Sequence, residues 1–157
     1  MKHGSKERGQ GLVEFALVLP IIVLMVFGIL DLGRAVFTYN ALAQSARQAS
    51  RTAIVDQDVS RVRATAFASA PTLGLTTGNV AVCFKDLDSN QQSCASSTDD
   101  CGPSERVIGC IAIVTAQVTY VPMTPIIGSL IGSVPMSSTS IQPIEYVCPY
   151  ESVTTCP

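Results

Sequence analysis

Six cysteines hold most of the reactive chemistry in this chain, at Cys83, Cys94, Cys101, Cys110, Cys148 and Cys156. All lie beyond residue 80, their number is even, and none are spaced C-x-x-C, so neither a redox dithiol nor a zinc ribbon is indicated. The pattern reads as up to three disulfides in a small exported domain, the alternative being six buried thiols. Fifteen pairings are open. The one we expect joins Cys83 to Cys110 across neighbouring strands, Cys94 to Cys101 within a loop, and Cys148 to Cys156 near the C-terminus. Histidine chemistry has no place to act, because His3, the one histidine, stands in a polar N-terminal tail. No G-x-S-x-G or H-E-x-x-H occurs, which argues against a membrane-tethered hydrolase. Asp99, Asp100 and Glu105 are explained more simply as solvated loop carboxylates than as a calcium site. The expectation is a protein with no catalytic residues, no metal and no cofactor.

The second unusual group is Glu14, the one charge within the 19-residue apolar run Leu12–Leu30. As a helix this run rises about 28 Å, close to the roughly 30 Å hydrocarbon core of a bilayer. A chain of 157 residues cannot easily surround a rod that is apolar on every face. A cleaved secretory signal would have a shorter apolar stretch and a small-x-small site, whereas here Asp31-Leu32-Gly33-Arg34 follows and the helical pattern continues. A transmembrane helix over residues 10–34 fits best. Lys2, Lys6 and Arg8 precede the run, offset only by Glu7, while Asp31 and Arg34 balance each other after it. The positive-inside tendency therefore puts residues 1–9 in the cytoplasm as a short basic leader and the C-terminal part outside. At the membrane edge, Asp31 and Arg34 read as a surface ion pair worth under about 1 kcal/mol. Pro20 removes one helical hydrogen bond, to the carbonyl of Ala16, and reads either as a hinge or as a harmless kink.

Whole-chain balance agrees with this division. Ten basic against twelve acidic residues give a net charge of −2, which does not suit a nucleic-acid binder. Charged residues are 14%, well below the roughly 25% of soluble domains, and mean hydropathy is +0.37. Residues 1–70 carry a net +3 and residues 71–157 a net −5.

Beyond the membrane the helical pattern continues through an extracytoplasmic stalk, residues 35–70. Val36, Tyr39, Leu42, Ala43, Ala46, Ala49 and Ala53 recur at spacings of three and four, a stripe that admits a close neighbour. That neighbour is either the chain's own domain or another subunit. Val55–Val59 reads as a break, with Asp56 or Asp58 capping a second helix to about Ser69. Residues 71–157 read as a small β-rich domain. Its first strand is Asn79–Phe84, and a polar cysteine-bearing loop follows. A long strand, Arg106–Val121, is bent at Gly109; a third strand is Met136–Tyr146. Between the last two, Pro122–Pro135 is apolar but broken by proline and glycine, an ordered connection docked on the outer leaflet or the core. The fold class is α+β: a long N-terminal transmembrane helix, then a small antiparallel sheet tied by disulfides.

The stretch Arg8-Gly9-Gln10-Gly11-Leu12-Val13-Glu14-Phe15 resembles the class III signal of type IV-like prepilins. That resemblance implies cleavage after Gly9 by a membrane-embedded aspartyl prepilin peptidase, leaving Gln10 as the new N-terminus. The wider run Gly9–Pro20 with Gly28–Ala35 looks like the TadE-like family of tight-adherence pilus biogenesis proteins. It is dense over residues 8–54, with Leu32 where an aromatic is common, and the cysteines are no general feature of that family. The resemblance implies a non-enzymatic single-pass pseudopilin or assembly component in the inner (cytoplasmic) membrane. Its partners would be membrane lipid, other pilin-like subunits, the prepilin peptidase and a pilus or secretion platform. In such an assembly Glu14 could pair with a freed α-amino group on a neighbour and set the axial register. The competing reading is a membrane-anchored extracellular binding or adhesion domain that never enters a filament.

Overall fold

The computed structural model describes residues 7–86, 94, 101 and 109–144. Helix α1 is Glu7–Val55, and it runs unbroken through Pro20. It stops at Asp56-Gln57-Asp58, where side-chain carboxylates offer the backbone a competing set of partners. The Asp58 carboxylate accepts from Ser60 N at 2.8 Å and caps α2, Val59–Ser69. Asp56 shapes the turn instead, accepting from Asp58 N at 3.0 Å and from Arg61 Nη1 at 2.9 Å. A single 3₁₀ turn, Pro71–Leu73, is closed by Gly74 in the left-handed region at φ 57°. Strand β1 is Val80–Asp86 and β2 is Cys110–Tyr120. Helix α3, Pro125–Ile131, lies between β2 and strand β3, Val134–Pro143. Gly109, expected as a bend within a long strand, holds φ 114° immediately before β2 and marks where that strand begins.

The three strands form one antiparallel sheet in the order β1-β2-β3. Cross-strand partners share a face, so the register sorts the side chains. Val80↔Ala116, Val82↔Val114, Phe84↔Ala112 and Asp86↔Cys110 lie on one face, and Cys83↔Ile113 lies on the other. The first face meets the helices: Leu42, Ala46, Ala49 and Ala53 of α1 and Val62 and Ala66 of α2 form one core with Phe84, Ala112, Val114 and Ala116. Alanine opposite alanine lets helix and sheet approach closely. Part of the alanine stripe thus packs on the chain's own sheet, while Val36 and Tyr39 at its start are exposed. Hydroxyls stitch the layers, Ser45 Oγ donating to Ala66 O at 2.9 Å and Ser50 Oγ meeting Ser140 Oγ at 2.8 Å. Arg63 Nε donates to Val80 O at 3.1 Å, joining α2 to β1.

The disulfides are Cys83–Cys94 and Cys101–Cys110, not the expected Cys83–Cys110 and Cys94–Cys101. Strand parity is the reason. Cys83 sits opposite Ile113, whereas Cys110 sits opposite Asp86. An odd offset along a strand puts the two sulfurs on opposite faces of the sheet, where no bridge can form. Cys83 therefore joins Cys94 beside Ile111 and Ile113, while Cys110 joins Cys101 in the helix-facing core. The expected Cys148–Cys156 pair lies outside the described residues. Mass-spectrometric mapping after non-reducing digestion should recover Cys83 linked to Cys94 and Cys101 linked to Cys110. A Cys83–Cys110 cross-link in the native protein would contradict the register.

Two compact units divide the chain. One contains α1 up to Val36 with Val121–Ser133; the other contains Phe37–Tyr120 and the strand from Val134.

Candidate functional site

The N-terminal part of α1 carries the residues singled out by the sequence. Gly9, Gln10 and Glu14 all lie in its first turns and are exposed, and the Gly9–Gln10 bond is inside the helix. Five residues of α-helix place Glu14 about 7.5 Å along the axis from Gly9. Beyond Glu14 toward Leu30 every residue is apolar. Leu12, Phe15, Leu17, Ile21 and Met25 are each more than half exposed, and the described residues bury none of the apolar window. An exposed rod of this length with mean hydropathy 2.7 requires a partner phase, either lipid or other apolar helices.

At the distal end of the apolar run the helix does make contacts. Asp31 is buried, at 6% exposure. Arg34 Nη1 stands 3.9 Å from its carboxylate. The closer partners are backbone: Met123 N donates to Asp31 Oδ1 at 3.0 Å and Thr124 N to Oδ2 at 3.1 Å. The Thr124 hydroxyl bonds to the same side chain. Asp31 thus latches the start of α3 to the last turn of the apolar stretch, a role that spacing alone did not reveal. The signal available was Thr124-Pro125, a helix N-cap followed by proline at the first helical position, with Gly132 beyond the end. Asp31→Ala would strand the N–H groups of Met123 and Thr124. It should cost about 1–3 kcal/mol, seen as faster amide hydrogen exchange confined to residues near 123–128.

In the other unit, Tyr39, Asn40, Gln44 and Arg47 of α1 face Ser137–Ser140 of β3 across a polar groove of about 560 Å³. Among the described residues, no group of three or more His, Cys, Asp or Glu side chains is arranged to hold a metal ion.

A continuous helix with an exposed apolar first half, followed by a disulfide-tied α+β domain, fits a single-pass membrane anchor. Residues 9–51 match the family model for TadE-like proteins. The match takes in Gly9, Gln10, Glu14, Pro20, Asp31 and Arg34 and stops before the sheet. No curated protein and no solved structure matches the chain.

Proposed function

We propose that this chain is a non-enzymatic, single-pass pseudopilin or assembly component of a tight-adherence, type IV-like pilus or secretion system. The observation that carries the reading is a family-matched helix whose apolar half is bare except at its distal end and bears one carboxylate near its start. Residues 1–9 are the cytoplasmic leader, residues 10–34 cross the inner membrane, and residues 35–157 lie outside it. Other pilin-like helices cover the rod once subunits assemble, and lipid covers it before. Gly9–Gln10 is the bond cut by a prepilin peptidase, and Glu14 sets register against a neighbour. N-terminal sequencing of protein extracted from membranes should begin at Gln10. An intact start at Met1 or Lys2 would mark a plain anchor instead.

The polar groove favours one second reading, a membrane-anchored binding or adhesion domain outside any filament. Its size falls within the usual range for ligand pockets. Arg47→Ala separates the two: loss of surface attachment with intact assembly contacts supports adhesion, whereas unchanged attachment leaves the pilus reading.

A further inference from the structure

We propose that residues 121–133, latched by Asp31, lie in the outer-leaflet interface as a second membrane contact beside the span. The proposal rests on the reading of α1 as a membrane helix. Three observations carry it, all within one compact unit.

The first is level. A Cβ on Gly28 would lie 3.8 Å from Ile127 Cδ1, so α3 sits against the final turn of the apolar run. Asp31, one residue past that run, fixes the preceding turn through Met123 N and Thr124 N. The segment is therefore held where the span leaves hydrocarbon.

The second is its surface. From Val121 to Pro135 there is no charged residue. Val121, Met123, Leu130 and Ile131 are 63%, 73%, 81% and 64% exposed. These exposed apolar side chains belong to the same compact unit as the bare span, which suits acyl chains and the headgroup boundary rather than water.

The third is the backbone. A segment entering a low-dielectric phase must satisfy its N–H groups internally. Pro122 and Pro125 have none, and the two between them are both taken by Asp31. Gly128 N then donates to Thr124 O at 2.8 Å and Gly132 N to Gly128 O at 2.9 Å. A buried carboxylate in this position is otherwise costly. Here it closes both donors of the turn that precedes α3.

The chain has no tryptophan, which gives a direct test on the full-length protein. Leu130→Trp and, separately, Leu24→Trp are reconstituted into phosphatidylcholine vesicles whose acyl chains carry bromine near either the headgroup end or the methyl end. Leu24→Trp reports the span: if neither lipid quenches it, the membrane-helix reading itself fails. With Leu24→Trp quenched, Leu130→Trp should be quenched at least about twofold more by the shallow bromine than by the deep one. Quenching of Leu130→Trp by aqueous acrylamide alone, or more strongly by the deep bromine, overturns the interfacial placement. Adding Asp31→Ala to Leu130→Trp should lower shallow-bromine quenching and raise acrylamide quenching. Unchanged quenching would remove Asp31 as the latch.

Discussion

Glu14→Ala is expected to leave membrane insertion intact or improved while lowering cross-linking to neighbouring pilin-like subunits by about a hundredfold or more. The argument weighs two costs of one carboxylate. In a free subunit the group sits in the first turns of α1, exposed, near the N-terminal end of the apolar stretch. Headgroup water reaches it there, so its insertion cost is below the roughly 2.5–3.5 kcal/mol of a central position. Between packed helices that water is gone, and only a cationic partner such as a neighbour's α-amino group makes the carboxylate tolerable. Removing one member of a buried pair costs about 3–5 kcal/mol, which corresponds to a factor of a hundred or more in association. Glu14→Gln discriminates further. It keeps the shape and a hydrogen-bonding end but no charge, so it should fail like Ala if charge pairing sets register, and should rescue if packing alone matters. Equal recovery of Glu14→Ala and the natural chain in cross-linked complexes would eliminate the register role.

The helix and its break were legible because their signals are local. An alanine-rich run with no proline between Pro20 and Pro71 specifies α1 beyond the apolar run. Asp58 is readable as a cap because Ser, Asp and Asn before an apolar pattern satisfy free N–H groups. The alternation of Val114, Ala116, Val118 and Tyr120 against Thr115, Gln117 and Thr119 also holds in β2, whose latter half buries one set more than the other. Disulfide pairing was not legible, since it depends on which residue of β1 faces which of β2. One step of register exchanges the two faces and with them every permitted bridge. The backbone partners of Asp31 were hidden for a related reason. Its partners lie 92 and 93 residues away, and sequence displays only the Arg34 one helical turn on. The apolar face of α1 over residues 12–30 gave the opposite case. It was plain from composition, and the described residues leave it exposed.

Phe84→Ala is expected to be the most damaging single change in the sheet domain. The side chain is fully buried on the sheet face that meets the helices, directly opposite Ala112 in the register. Its neighbours in the core are small: Ala46, Ala49, Ala53, Ala66 and Ala116 surround a few larger side chains such as Leu42 and Val62. Among the described residues this core has one fully buried aromatic, with Phe67 packed only at its margin, filling the space that many methyl groups leave, and those methyl groups cannot reorient to close a cavity. Relaxation is limited, so the cost should fall in the range of about 3–5 kcal/mol. For a domain of this size that is a drop in Tm of roughly 10–20 °C or more, measurable by thermal melting in detergent. Gln117→Ala, an exposed position on β2, should stay within about 0.5 kcal/mol of the natural chain. The disulfides do not compensate, because Cys101–Cys110 closes a short loop beside Phe84 and constrains the unfolded chain without refilling the cavity. A Phe84→Ala melt indistinguishable from that of Gln117→Ala would mean that the alanine-lined face is not the core, and that the helices meet the sheet in some other way.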